Sequence, residues 1–432
     1  MPERPTAIDL FCGAGGISAG LKQSGFEVKW AVDKDKDAVK TYSHNFPEPE
    51  YGAEVADLSE LEPGDVLEGI ESTEIDLIAG GPPCPTFSKI GRSKISSLDD
   101  QSPESDDRHQ LYRDFLRFVD HYQPDTFLME NVVGMLSSTG ANGEPIVDLI
   151  REEMEELGYS VNIEHVDAAD FGVPQHRERL FFIGYRDGEN RLNLKEWETH
   201  RPPVREREKD LKIRTEPDAF GESTQTTVTD FGVETGSSEP EFEKKPDSKK
   251  PYVTVGDAIL DLPPVSPKGE MPPKEATEYT IAPVSYYQEW VRDIPEGQDW
   301  KDAELTNHSS RGHNHLDLTL YKLLGEGVGW NIGDVDTKLQ PYRDDIFMDK
   351  YKKQHPRKPA STIVAHLQKD GHMFIHPREA RSLTVREAAR LQSFKDSFEF
   401  PVSRTNAFRL VGNAVPPLLA AAAGTAIQTE LL

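Results

Sequence analysis

Residues 80–88 read Gly-Gly-Pro-Pro-Cys-Pro-Thr-Phe-Ser, and Cys84 within them is one of only two cysteines in the 432-residue chain. The apolar run Ile75 to Ala79 ahead of it has the pattern of a buried strand, so Cys84 is expected at the carboxyl edge of a sheet, where open α/β sheets bind ligands. Flanking prolines fix the backbone and hold the thiol in place. A free cysteine is more often a small core residue, but that reading suits a cysteine inside an apolar run, not one between prolines. A thiol of pKa about 8.5 is a weak nucleophile at neutral pH, so a reactive Cys84 requires an electropositive or hydrogen-bonding surround. Two further segments can supply it. Phe127-Leu128-Met129-Glu130-Asn131-Val132 carries a carboxyl at the end of another apolar run, and Gln175-His176-Arg177-Glu178-Arg179 brings two arginines ahead of the run Leu180 to Gly184. A buried glutamate is rare unless it is employed or paired, and a structural salt bridge to one arginine is the plain alternative.

Positioning these groups requires a framework. Apolar runs at Ala7 to Phe11, Val28 to Val32, Ile75 to Ala79, Thr126 to Glu130 and Leu180 to Gly184 alternate with helical patterns, which predicts parallel strands joined by crossover helices over the first 186 residues. Leu111, Phe115, Phe118 and Val119 share one helix face. Ile146, Leu149, Ile150, Met154 and Leu157 share another, and both stripes read as core. Directly after the first strand comes Phe11-Cys12-Gly13-Ala14-Gly15-Gly16. Glycines there let the backbone approach a ligand, and Asp33, ending the second strand, is placed to accept bonds from ribose hydroxyls. The string is not the dinucleotide Gly-x-Gly-x-x-Gly, which favours an adenosyl ligand without pyrophosphate. A tight strand-to-helix turn with no ligand is the alternative.

Beyond the first 186 residues the pattern loosens. Residues 187–250 are rich in Glu, Lys, Thr, Ser and Pro and are expected to be a flexible insertion or linker. Residues 251–375 are irregular, with scattered Trp290, Trp300 and Trp330, and read as a small loop-rich domain. Regularity returns in 376–432, where Thr384-Val385-Arg386-Glu387 forms a capping box opening a helix from Val385 to Phe394. Pro416 and Pro417 start an Ala-rich terminal helix.

With 49 basic against 76 acidic residues the formal charge is −27, which argues against a polyanionic partner unless the basic residues are gathered locally. Seven of them (Arg378, Arg381, Arg386, Arg390, Lys395, Arg404, Arg409) face four acidic residues between Ile375 and Leu410. A second group is Lys350, Lys352, Lys353, Arg357 and Lys358, and a third is Lys89, Arg92 and Lys94. Solvated surface is the alternative for each. The two cysteines exclude a disulfide framework or a four-cysteine zinc site. His308, His313 and His315 lack accompanying metal-ligand spacing, so no metal is expected and surface or nucleic-acid contact is the reading for them. No secretory signal or run of about 18 apolar residues is evident, which points to a cytoplasmic protein with no membrane contact.

The ordered set of motifs resembles the cytosine carbon-5 DNA methyltransferases over roughly residues 5 to 186 and 359 to 424. The resemblance implies an α/β, Rossmann-like S-adenosylmethionine-dependent methyltransferase sheet with a smaller loop-rich target-recognition domain. It assigns Phe11, Gly13, Ala14, Gly15, Gly16, Asp33, Asp57, Leu58 and Pro83 to the S-adenosylmethionine pocket, with Asn413 and Ala414 closing it. Cys84 becomes the nucleophile, Glu130, Arg177 and Arg179 its catalytic partners, and Ser88, Arg92, Arg381 and Arg386 contacts to double-stranded DNA. The variable target-recognition region of the family falls at residues 187–359. Lys34 departs from the aromatic that many members place on the adenine. The implied reaction moves a methyl group to carbon 5 of a flipped-out cytosine, and a cognate restriction endonuclease is a possible separate partner. An RNA-modifying member of the family, a silent adenosyl-binding regulator and a nicotinamide oxidoreductase are the rivals. The absence of a cysteine beyond Cys84, the intact Cys84, Glu130 and Arg179 set, and the glycine spacing respectively disfavour them.

Overall fold

The computed structural model describes residues 4–47, 52–66, 75–83, 111–139, 143–186, 192–202, 245–246, 248–267, 273–325, 327–336, 338 and 351–432. Cys84, Ser88, Lys89, Arg92, Lys94 and Lys350 lie outside that set.

The described strands are β1 (Thr6–Leu10), β2 (Glu27–Asp33), β3 (Ala53–Val55), β4 (Leu77–Gly80), β5 (Thr126–Val132), β6 (Ser160–Asp167), β7 (Glu178–Tyr185), and the short pair β8 (His200–Arg201) and β9 (Lys250–Pro251). The helices are α1 (Gly16–Gln23), α2 (Lys36–Asn45), α3 (Pro63–Val66), α4 (Leu111–Tyr122), α5 (Ile146–Glu156), α6 (Val255–Ile259), α7 (Tyr286–Arg292), α8 (His315–Leu323), α9 (Val385–Leu391), α10 (Arg404–Asn413) and α11 (Pro417–Glu430). The main sheet has seven strands in the order β3-β2-β1-β4-β5-β7-β6. The first five are parallel, but β7 runs antiparallel to both β5 and β6. This corrects the all-parallel expectation. The two strands missed in the sequence are edges: β3 has three residues, and β6 is only intermittently buried, so neither carries a continuous apolar run.

Helix faces follow the apolar stripes. Phe115, Phe118, Val119, Ile150 and Met154 are fully buried in one cluster with Ile8, Leu10 and Phe127 on one side of the sheet. On the other side α1 meets α11 so closely that a Cβ on Gly20 would lie 2.5 Å from the Ala420 methyl carbon. The Ala-rich composition of α11 is what permits that approach. The stretch Arg404–Glu430 has the length and composition of a membrane-crossing helix, but 89% of its apolar window is buried inside the protein. It is a core element.

The segment expected to be linker is not uniformly so. Leu192, Leu194 and Trp197 are buried, and the Trp197 indole donates to Glu430 Oε1 at 2.8 Å, pinning this stretch under α11. Val253, Val255, Ile259, Tyr287, Val291 and Leu305 join the same core cluster as α1 and α11. A separate small cluster, Leu320, Tyr321, Leu324, Ile332, Val335, Tyr351 and Ile375, forms the heart of the loop-rich part.

A buried charge network ties α6 and α7 to α9. Arg292 pairs with Asp261 at 2.7 Å, Arg390 with Asp261 and Asp396 at 2.6 Å each, and Arg386 with Asp396 at 3.7 Å. The predicted capping box opens α9: the Thr384 hydroxyl accepts from the Glu387 N–H, and Glu387 accepts from the Thr384 N–H at 2.7 Å. The helix stops at Leu391, three residues short of the expected Phe394.

Candidate active site

The glycine turn is built on positive backbone angles, φ 57° at Phe11, 55° at Gly13 and 96° at Gly15. Gly13 donates its N–H to Asp33 Oδ2 at 3.0 Å, and Asp35 donates to Asp33 Oδ1 at 2.8 Å, so the carboxylate ending β2 braces the turn. Burial raises the pKa of Asp33 above the ordinary carboxylate value. Among the described residues a Cβ on Gly13 would meet nothing within 4 Å, whereas one on Gly16 would lie 2.2 Å from the Val415 carbonyl oxygen and 3.4 Å from the Ala414 methyl carbon. One side of the turn is thus open, as a cradle for an adenosyl group requires, and the other is closed by the segment containing Asn413 and Ala414. Asp57 caps a single helical turn that contains buried Leu58, and Lys34 reaches Asp57 Oδ2 at 3.4 Å. The residue standing in place of an aromatic therefore makes an ion pair.

Asp9 was not singled out in the sequence. Its Oδ2 accepts from the Ser18 N–H at 3.2 Å and the Ser18 hydroxyl at 2.6 Å, and Tyr42 donates to that hydroxyl at 2.8 Å. Its Oδ1 is buried with no hydrogen-bond partner among the described residues. Burial is the main reason its pKa is pushed up to about 7. A carboxyl inside an otherwise apolar strand, directly before the glycine turn, was the available signal.

Glu130 and Arg179 meet at the end of β5. Arg179 Nε lies 2.5 Å from Glu130 Oε1, with each side chain 13% exposed and so still within reach of a bound molecule. The antiparallel register pairs Glu130 with Phe181 and Val132 with Arg179, which puts the two charged side chains on one face as diagonal neighbours. The reversal of β7 is what brings the arginine to the carboxyl. The loop after β4 runs alongside: a Cβ on Gly81 would lie 3.2 Å from Glu130 Oε2, and Asn131 donates to the Pro82 carbonyl at 3.4 Å. Exposed Pro83 then leads into Cys84.

Arg177 does something different from its expected catalytic role. It is buried, and its guanidinium donates to the Ile363 carbonyl at 2.8 Å and the Gly412 carbonyl at 3.2 Å. Burial and the neighbouring Arg179 charge push its pKa down. Beside it runs a chain of buried amides. Gln175 Oε1 accepts from the Ile363 N–H at 2.8 Å, Gln175 Nε2 donates to the Leu391 carbonyl and to Gln392 Oε1 at 2.7 Å each, and Gln392 donates to the Val411 carbonyl at 2.6 Å. These residues join the strand carrying Arg179 to the segment that closes the glycine turn.

The basic face expected between Ile375 and Leu410 is not a face. Arg381 and Arg386, expected to contact DNA, are fully buried. Arg381 grips Glu387 and Glu379, and Arg386 donates to the Thr306, Lys395 and Phe398 carbonyls. Arg390 belongs to the buried network, Arg409 pairs with Asp35 and Lys395 with Asp293, leaving Arg378 and Arg404 exposed. Alternating charge along α9 does not distinguish a solvated face from buried ion pairs, which is why the sequence misled. In the second group Lys353 is buried on the Tyr321 and Leu324 carbonyls, while Arg357 and Lys358 are exposed. His308 is buried between the Pro263 carbonyl and the Thr384 hydroxyl, not at the surface, and His315 is exposed.

Sheet order and glycine turn define a Rossmann-like methyltransferase fold. A family model for C-5 cytosine-specific DNA methylase matches residues 6–429, and the chain belongs to that family: it is a DNA (cytosine-5)-methyltransferase. It is 32% identical to the type II methyltransferase M.DdeI of Desulfomicrobium norvegicum, over 96% of this chain and 86% of that one. It is 30% identical to the type II methyltransferase M.AgeI of Thalassovita gelatinovora, over 98% and 99% respectively. Among solved structures, a prophage-encoded DNA modification methyltransferase (E. coli) matches with a TM-score of 0.65 and 26% identity, covering 99% of each chain.

Proposed function

We propose that the protein methylates carbon 5 of a cytosine within a specific DNA sequence, using S-adenosylmethionine and a covalent adduct to Cys84. The observation that carries this reading is the Glu130–Arg179 pair beside the Gly81–Pro83 loop, on the same sheet as the open glycine cradle. Phe11, Gly13, Ala14, Gly15, Gly16, Asp33, Asp57, Leu58 and Pro83, with Asn413 and Ala414, would hold the cofactor. Bound there it supplies an electrophilic methyl group.

Carbon 5 of cytosine is a poor nucleophile, and the residues correct that. The Cys84 thiolate adds to carbon 6 and pushes electron density towards carbon 5, while a protonated Glu130 donates to ring nitrogen 3, where negative charge would otherwise build. Arg179 holds the ring and the carboxyl group in register. Once carbon 5 carries the methyl group, its proton leaves to a base, the carbon 6–sulfur bond breaks, and the thiolate is restored. The base must leave the duplex to reach the site, at a cost of a few kcal/mol offset by pocket contacts. Type II relatives suggest a separate restriction endonuclease of matching specificity as partner. Ser88, Arg92 and the exposed Arg357 and Lys358 are the proposed DNA contacts.

The test is Cys84→Ala, expected to abolish methyl transfer while retaining S-adenosylhomocysteine binding. Bisulfite sequencing of DNA from expressing cells reads the modified word. DNA carrying 5-fluorocytosine in that word, whose fluorine cannot leave as a proton does, should give a denaturant-stable adduct with the native chain only. Full methylation by Cys84→Ala would refute the covalent route.

A further inference from the structure

Outside the active site, one cluster combines the donor types of a metal centre. His313, Asp317 and Tyr321 are spaced four apart, so they form one stripe running from just before α8 along its length. Opposite them stand His372 and Tyr351. Nitrogen and oxygen donor atoms of His313, Asp317 and His372 all lie within 4.8 Å of one another. A tetrahedral set with bonds of about 2.1 Å spaces its donors about 3.4 Å apart, so a small inward shift of these side chains encloses an ion.

The surroundings match those of ligating side chains. Tyr351 donates to Asp317 Oδ1 at 3.0 Å, the Ser382 hydroxyl lies 3.0 Å from His313 Nε2, and the Tyr321 hydroxyl lies 2.6 Å from His372 Nδ1. Outer contacts of this kind fix the tautomer and orientation of metal-bound imidazoles and carboxylates. The Ser382 N–H also points at His313 Nε2 at 3.2 Å and Tyr321 lies 3.3 Å from His313 Nδ1, which describes a hydrogen-bonded chain through Tyr321 between the two rings. Metal binding replaces that chain: the His313 ring swings so that Nε2 gives up the Ser382 N–H, takes the ring proton and donates it to the Ser382 hydroxyl, while Nδ1 turns to the ion.

We infer that His313, Asp317 and His372 form a structural site for a borderline divalent cation of the zinc class, fastening α8 to the turn at His372 and, through Ser382, to the start of α9. Two imidazoles and one carboxylate select such an ion over magnesium or calcium, which prefer all-oxygen sets. The gain is greatest here because the separate cluster around Tyr321 is small and loop-rich.

The experiment uses the full chain, stripped with chelator and desalted. Zinc chloride should leave roughly one zinc per chain after gel filtration and raise the melting temperature, while magnesium chloride does neither. Cobalt(II) should give visible ligand-field bands. Asp317→Asn and His372→Gln should lose the stoichiometric metal, whereas His315→Gln, at an exposed position, should keep it. Asp317→Glu, which keeps a carboxylate, should fold and shift the cobalt bands. Absence of bands with the native chain, zinc retained equally by Asp317→Asn and His372→Gln, or an unshifted spectrum in Asp317→Glu would each overturn the site.

Discussion

Replacing Gln392 with leucine isolates the link between the strand bearing Arg179 and the segment that closes the glycine turn. The side chain is fully buried and makes two short hydrogen bonds, 2.7 Å to Gln175 and 2.6 Å to the Val411 carbonyl. Each is worth about 1 kcal/mol net, and a buried group left without its partner costs about 1–3 kcal/mol. Gln175 keeps its bond to the Leu391 carbonyl, so its amide is not stranded, and the main loss falls on Val411 and Ala414. We expect a total destabilisation of about 2–4 kcal/mol by denaturant titration. If roughly half of it is felt as freedom in the segment behind Gly16, S-adenosylhomocysteine affinity falls about 5- to 30-fold by isothermal titration. Gln288→Leu is the control. That amide is equally buried, accepting from the Val284 N–H at 2.7 Å and donating to the Gly256 carbonyl at 3.3 Å, but it touches neither segment. It should cost stability without changing cofactor affinity. An unchanged affinity in Gln392→Leu, or equal losses in both variants, would refute the idea that the amide chain positions the cofactor-closing segment.

Glu130→Gln should slow methyl transfer about 10²- to 10⁴-fold while leaving DNA affinity in gel-shift titrations nearly unchanged; equal losses in both would reduce the Glu130–Arg179 pair to a structural salt bridge. Gly16→Ala forces a methyl group to within 2.2 Å of the Val415 carbonyl oxygen, so cofactor affinity should drop at least about tenfold with about 1–3 kcal/mol of lost stability, and native affinity in that variant would contradict the close approach. Stability should also decline on acidification below pH 6.5. His200 and His308 are buried and held down to about 3 and about 4, chiefly by desolvation, so they stay neutral in the fold while the unfolded chain takes up protons. Their contribution is complete above the unfolded pKa and is lost as pH falls towards the folded values, at about 1.4 kcal/mol per unit for each histidine. Denaturant midpoints that stay flat between pH 7 and pH 5 would exclude this.

The order of the chemistry was legible because it sits on strong local signals. Glycines in a turn after a strand, prolines around a cysteine, and a carboxyl ending an apolar run each mark a backbone position, and the structure sets Glu130 and Arg179 on neighbouring strands, with Gly13, Asp33 and Ala414 around the turn after β1. What escaped the sequence is what depends on distant partners. The direction of β7 is not encoded in its apolar run, which reads the same for parallel and antiparallel pairing. Arg177 and Arg386 take partners 9 to 235 positions away, and although Arg381 pairs with the nearby Glu379 and Glu387, nothing in its own neighbourhood shows that the pair is buried and not a solvated face. Asp9 is a single polar residue in an apolar strand and Gln392 one of several polar residues at the end of α9, and only their three-dimensional neighbours explain them.

The charges sealed between α6, α7 and α9 behave unlike those at the surface. Dissolved ions weaken attraction between exposed groups over about 8–10 Å at moderate ionic strength, but they do not enter the dry space around Arg292, Asp261, Arg390 and Asp396. Brine that strips a protein from a nucleic acid backbone would therefore leave this joint as firm as before. An enzyme carrying such an excess of acid can have its grip on DNA tuned by salt while the joint between these three helices stays indifferent to it.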